Sequence, residues 1–298
     1  MLRPRLRIPR VGGLLRRPTP FRRQIHVMPL LENINPEEGV PGLLSVDGCQ
    51  FAWTQYMQLM IEKLNTMVAG SEYESLDLLP IIKATSREPS QAAIFNYASM
   101  AHNNHLFFLG LKAAPPNEGE FAEGIQPLEE KIPPLLRRTL ESNFSSIETL
   151  RREFTATAMA MFGPGFVWLV KNAQTTDYRI LATYLAGTPY IAGHWRRQPV
   201  DMNSHGASGR TMQEWLERGQ TGAGASNGSM FDPEVPGGVD VIPLLCLNTW
   251  EHVWLRDYGI QSQGVEGKRI FIESWWECID WKRVETLAMI QIQNTFKG

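Results

Sequence analysis

Four histidines are the residues in this chain best suited to chemistry: His102, His105, His194 and His252. Neutral imidazoles are ligands for zinc, copper, iron or manganese, so these four could hold such an ion adventitiously. His102 and His105 also fit polar positions of a helix, His194 a turn beside Trp195, and His205 lies in a polar stretch. Glu251 precedes His252 directly, and a carboxylate beside an imidazole makes a charge-assisted contact with or without a metal. The three cysteines, Cys49, Cys246 and Cys278, are far apart and odd in number. They form neither a disulfide framework nor a CxxC metal pair, and read as buried thiols in a reducing compartment.

Helices must carry the first half. Apolar residues recur at helical spacing from Phe51 to Ala69, and Ser90 to Leu111 repeats the pattern. A helix is predicted over Ile125 to Thr139, confined by Pro133 and Pro134, and another from Ser146 toward Met161, with Glu148 in its first turn. From Gly163 the texture changes. Phe166–Val170 and Tyr178–Tyr184 are β-branched and aromatic runs separated by a polar turn, which predicts a strand pair. The glycine-rich stretch from Gly219 to Gly238 reads as a long excursion, and the chain closes with helical segments at Trp250–Tyr258, around Trp275, and at Val284–Phe296.

The 298 residues suffice for one or two domains with a large core. Nine Trp and thirteen Phe are too much apolar surface for a disordered chain or a coiled coil. No uninterrupted apolar run approaches the roughly 20 residues of a membrane span. The net charge of −2 hides an asymmetry: residues 1–26 carry eight arginines (Arg3, Arg5, Arg7, Arg10, Arg16, Arg17, Arg22, Arg23) and no acid. Setting these eight aside leaves the remainder at −10. An Arg-rich, acid-free N-terminus has the composition of a mitochondrial presequence, with cleavage expected between Arg23 and Met28. The competing reading, a basic arm on nucleic acid, is disfavoured because a globular region follows directly.

Three local words stand out: Phe95-Asn96-Tyr97 through Asn103-Asn104-His105 to Phe107-Phe108; Gly163-Pro164-Gly165-Phe166-Val167-Trp168-Leu169; and Pro243-Leu244-Leu245 through Asn248 to Trp250-Glu251-His252. Trp276 and Trp281 follow. In order and spacing they resemble the iron/manganese superoxide dismutase family over roughly 45–297, interrupted by an insertion near 196–239. The resemblance implies an α+β fold: an N-terminal helical hairpin domain, then a C-terminal domain with a three-stranded antiparallel sheet flanked by helices. It divides the chain into a presequence at 1–26, the helical domain at 27–118 and the sheet domain at 119–298.

The same resemblance implies a metal held by three imidazoles and one carboxylate. Counted from Tyr56 the first falls on Gly48, and the first and third words place the others on Asn104, Asn248 and His252; only the last keeps its ligand. The positions that would hydrogen-bond the metal-bound water fall near Met100 and Ala186, which are apolar. One ligand of four gives up most of the coordination free energy of a multidentate site, so neither cofactor nor enzymatic activity is expected. Glu251 and His252 match the family pair that meets across a two-fold interface. Trp168, Trp250, Trp254, Trp275, Trp276 and Trp281 read as core and interface mass.

A matrix-targeted, metal-less chain with an enlarged loop resembles the superoxide-dismutase-like proteins of the fungal mitochondrial small ribosomal subunit. That implies a structural subunit acting in mitochondrial translation, paired with a paralogue and docked on ribosomal proteins. At −10 the mature chain is a poor coat for RNA, so rRNA contact would be local, through Arg137-Arg138, Arg151-Arg152 and Arg196-Arg197. Two alternatives stand beside it: an active matrix superoxide dismutase, requiring substitutes for three ligands, and a free matrix scaffold.

Overall fold

The structure, a computed structural model, describes residues 26–86, 88–113, 131–173, 175, 177–190, 240–262 and 264–289. The whole of the insertion at 196–239, with its predicted excursion at 219–238, and residues 290–296 of the last predicted helix lie outside these. The N-terminal region is helical: α1 (Val46–Cys49), a π-helical stretch Gln50–Gln55, α2 (Tyr56–Val68), α3 (Leu78–Thr85) and α4 (Ala92–Leu109). The long helix thus begins five residues before Phe51. Ser45 starts it, its hydroxyl accepting from the Gly48 N–H at 2.9 Å. The apolar stripe that marks a helix in sequence begins only at Phe51, because Asp47 and Gly48 contribute nothing to it.

The C-terminal region opens with α5 (Pro134–Phe144) and α6 (Ile147–Ala160), the latter capped by Ser146, which accepts from the Thr149 N–H at 3.0 Å. Pro133 and Pro134, expected to confine a helix running to Thr139, instead start one: proline fits the first turn, where no N–H is needed. Residues 125–130 of the predicted helix lie outside the described ones.

Strands β1 (Gly165–Asn172), β2 (Tyr178–Tyr184) and β3 (Val241–Asn248) form an antiparallel sheet in the order β2-β1-β3. Trp168 pairs with Leu181 on one side and Cys246 on the other, and its indole N–H donates to Thr183 Oγ1 at 2.9 Å. Six consecutive β1 residues after Gly165 are almost fully buried, because helices cover both faces of the central strand. A register shift between Leu169 and Val170 admits Pro243 into β3. Helix α7 (Glu251–Tyr258), a short hairpin β4 (Gln261–Ser262) and β5 (Val265–Glu266), α8 (Gly267–Glu277) and α9 (Trp281–Met289) complete the chain.

One large core joins the regions. Phe154 of α6 stacks on Trp275 of α8 with centroids 5.2 Å apart, and Trp276 meets Trp281 edge-on at 5.6 Å. The backbone contributes as well: Lys112 N–H donates to Cys278 O at 2.7 Å and Asp280 N–H to Gly110 O at 2.9 Å. The architecture is the α+β arrangement that the resemblance implies. No helix among the described residues is long and apolar enough to cross a membrane.

Candidate functional site

The four positions that the resemblance marks as ligands belong to α1, α4, β3 and α7, and contacts join α1 to α7 and α4 to β3. Asn104 and Asn248, both fully buried, bond directly: Asn248 Nδ2 donates to Asn104 Oδ1 at 3.0 Å. Asn104 Nδ2 donates to Ala52 O at 3.1 Å, and Asn248 Oδ1 accepts from the Trp250 N–H at 3.0 Å. The two amides therefore spend their polar atoms on each other and on backbone.

His252 stacks on Tyr56 with centroids 3.9 Å apart and planes 16° from parallel, and Trp250 flanks it at 5.8 Å. Its buried Nε2 has no hydrogen-bond partner among the described residues. Burial pushes its pKa down to about 4 and raises that of Tyr56. A neutral imidazole with a free nitrogen is what remains of the ligand set.

Gly48 faces a side chain that the sequence did not bring forward. A Cβ built on Gly48 would lie 2.2 Å from Asp257 Oδ2. Asp257, near the end of α7, accepts from the Ser45 hydroxyl at 2.6 Å and from the Ser45 N–H at 2.9 Å. Its neighbour Arg256 donates from Nε to Asp47 at 2.6 Å and lies over the Phe51 ring. Burial, with the Asp257 charge added, pushes the Cys49 thiol up to about 11, so this cysteine is an inert packing group.

A metal does not fit this donor set: one position is filled by a carboxylate bonded elsewhere, and two are amides bonded to each other. Among the described residues no group of three or more His, Cys, Asp or Glu could hold an ion. His102 and His105 are separately engaged. His102 Nε2 lies 2.9 Å from the Tyr190 hydroxyl, and burial together with His105 lowers its pKa to about 4. His105 lies against Trp53 at 5.9 Å and is also lowered, by burial and then by Arg283. His194 lies outside the described residues. Met100 and Ala186 are buried, and Ser99 Oγ donates to Ala186 O at 2.6 Å.

Sequence reading missed Asp257 and Asn103. Asn103 Nδ2 donates to Gly187 O at 2.9 Å and ties α4 to the segment after β2. Its place directly before a ligand position was the available signal; nothing local marks Asp257.

At the surface, Glu251 is exposed, and so are several large apolar groups. Phe162 is 98% exposed, Tyr184 and Leu185 are more than half exposed, and the Trp250 indole N–H donates to Leu185 O at 3.3 Å. Leu185 holds a positive φ of 53°, strained for a branched side chain. Of the basic doublets, Arg137 pairs with Glu141 at 3.6 Å and Arg151 with Glu277 at 3.3 Å. Arg138 and Arg152 are exposed. Arg196 and Arg197 lie outside the described residues.

Residues 133–203 and 223–287 match the family model described as iron/manganese superoxide dismutases, C-terminal domain. The small ribosomal subunit protein mS43 of Schizosaccharomyces pombe is 27% identical over 266 residues, covering 87% of this chain and 83% of that one. Its mS42 counterpart in the same organism is 23% identical over 82% of this chain and 87% of its own length. The iron superoxide dismutase of Escherichia coli K12 is 22% identical over 81% and 88% respectively. Helical region, three-stranded sheet and matched residues agree: over 133–203 and 223–287 the chain is similar to the C-terminal domain of the iron/manganese superoxide dismutases.

Proposed function

We propose that this chain is a structural component of the mitochondrial small ribosomal subunit, acting in mitochondrial translation and performing no chemistry of its own. The observation that carries the reading is the pairing of a retained scaffold with a spent donor set: Asn104 and Asn248 satisfy each other where a redox metal needs an imidazole and a carboxylate. The similarity to mS43, over most of both chains and at higher identity than the Escherichia coli dismutase over a comparable length, supports the same reading. The acid-free arginine-rich N-terminus supports a mitochondrial address.

The partner at the surface around Glu251 is a second superoxide-dismutase-like chain, the paralogue. Exposed Phe162, Tyr184 and Leu185 offer it an apolar contact, and Glu251, one of the pair that the resemblance puts at an interface, a charge. rRNA contact is local and falls to Arg138 and Arg152, because Arg137 and Arg151 already face carboxylates. The remaining contacts are with ribosomal proteins.

Sedimentation of a mitochondrial lysate tests this. The chain should travel with the small ribosomal subunit at moderate salt and shift when magnesium is chelated. A chain that stays at the top of the gradient, carrying about one iron or manganese per molecule, would instead be an active dismutase.

The presequence boundary has its own expected outcome. His26 is anchored: its N–H donates to Asn65 Oδ1 at 3.0 Å, Asn65 Nδ2 returns a bond to His26 O at 2.8 Å, and its ring nitrogens meet Asn65 Oδ1 and Leu76 O. A mature chain that lost His26 would lose all of these. The boundary expected after residue 26 therefore moves ahead of His26: intact mass of the mitochondrial protein should give an N-terminus at or before His26, and a start at Val27 or later sinks the idea.

A further inference from the structure

The family's ligand positions are split between two regions: Gly48 and Asn104 on the helical side, Asn248 and His252 on the sheet side. A metal bound there would fasten one region to the other. In this chain a direct contact crosses between the regions at every one of those positions. Ser45 and Gly48 meet Asp257, Asn104 meets Asn248, and Tyr56 stacks on His252. We propose that Asp257 occupies the space of the first ligand's side chain and, with the amide pair and the Tyr56–His252 stack, fastens the two regions without a metal. The inference rests on the placement of the ligand positions given above.

Space and bonding make the arrangement exclusive. A separation of 2.2 Å between a Cβ at position 48 and Asp257 Oδ2 is far inside van der Waals contact. Any residue other than glycine must therefore displace the carboxylate. That carboxylate lies at the surface but is held at both ends: both oxygens accept from Ser45, one from its backbone and one from its hydroxyl. The same hydroxyl accepts from the Gly48 N–H and so caps α1. Moving Asp257 breaks the link to α7 and frees the cap in one step. The Asp47–Arg256 pair runs alongside and is exposed like Asp257 and Ser45, so it is a second surface link between the same two helices. Gly48 is therefore more than a lost ligand; it is the residue that admits the clamp. Restoring a histidine there would not rebuild a metal site while Asp257 is present.

Hydrogen exchange on the purified chain tests this, with Gly48→Ala, Asp257→Ala and Asp257→Asn. Gly48→Ala and Asp257→Ala should each lower amide protection across residues 46–55 by roughly tenfold or more, leaving β1 and β3 unchanged. Because both remove one clamp, the double variant should be no worse than either single variant. Asp257→Asn, whose amide oxygen still accepts from the Ser45 N–H, should retain most of the protection. Unchanged protection in Gly48→Ala, or additive losses in the double variant, would overturn the proposal. As a second arm, Mn²⁺ or Fe²⁺ added to the unmodified chain should leave its unfolding midpoint where it was. Saturable stabilisation with about one ion per chain would overturn it independently. Either failure would leave the co-sedimentation result untouched, so the clamp and the ribosomal assignment stand or fall separately.

Discussion

Asn248→Asp, which restores the family's carboxylate in a single step, should destabilise the chain by about 3–5 kcal/mol at neutral pH, the usual cost of a buried charge left without a partner. Asn248 is fully buried, and its Nδ2 donates to Asn104 Oδ1 at 3.0 Å. In the aspartate variant an oxygen would face that oxygen. Asn104 could turn its amide to donate instead, but it would then give up its bond to Ala52 O. The carboxylate would keep one donor, the Trp250 N–H, where a buried carboxylate needs two or three. Desolvation must then raise its folded pKa above the ordinary 3.9 or so of an unfolded aspartate. The penalty is absent below that value, grows by about 1.4 kcal/mol per pH unit above it, and levels off past the folded pKa. Urea unfolding of the variant at pH 5 and pH 7.5 reads both size and slope. A variant as stable as the parent at pH 7.5, or one rescued by manganese, would mean that the site still accepts the family's ion.

How much of this was legible in the sequence depends on range. The words around Asn104, Trp168 and Asn248 lie on α4, β1 and β3, and the β1–β2 pair lies where its aromatic and β-branched runs predicted. The third strand announced itself only through the family resemblance. Pro243–Leu247 is a short continuous apolar run, which periodicity does not distinguish from a buried helix. Helix α3 was missed because Pro80 falls within it, in the first turn where proline costs little. That the implied positions carry glycine and asparagine, without imidazole or carboxylate, is read from residue types alone. What lies against them is not. Asp257 is 212 residues from Ser45, and nothing near either residue points to the other. Glycine at 48 looked like an absence until the carboxylate that needs its missing Cβ was in view.

Acid should weaken the chain steeply. Between pH 7 and pH 5, His102 and His252 should together remove about 4 kcal/mol of stability, a large part of the 5–15 kcal/mol typical of a folded domain. Both are lowered from their ordinary 6.5 to about 4, His102 by burial and then by His105, His252 by burial alone. In the unfolded chain both take up protons near pH 6.5, whereas in the folded chain they stay neutral until about pH 4. Protons therefore favour the unfolded state in this window. Stability is fully present above pH 6.5 and is lost as pH falls toward 4, at up to about 1.4 kcal/mol per unit for each group. His105, lowered in the same direction, adds to the trend. His252→Gln should remove its own share of the slope, somewhat under half, because glutamine has no charge to acquire on unfolding while His102 and His105 still titrate. Unfolding midpoints in urea across pH 5 to 7 measure it, and a flat profile for the parent chain would refute burial of neutral imidazoles. A neutral imidazole is also the form that binds metal, so the depression alone is equally compatible with a ligand and with a packing group. What distinguishes them is the neighbour. His252 stacks on Tyr56, while the positions that would complete its coordination are Gly48 beneath Asp257 and two amides bonded to each other. Flattening of the pH profile in His252→Gln with no change in iron or manganese content is the result expected of a histidine that has become part of the core.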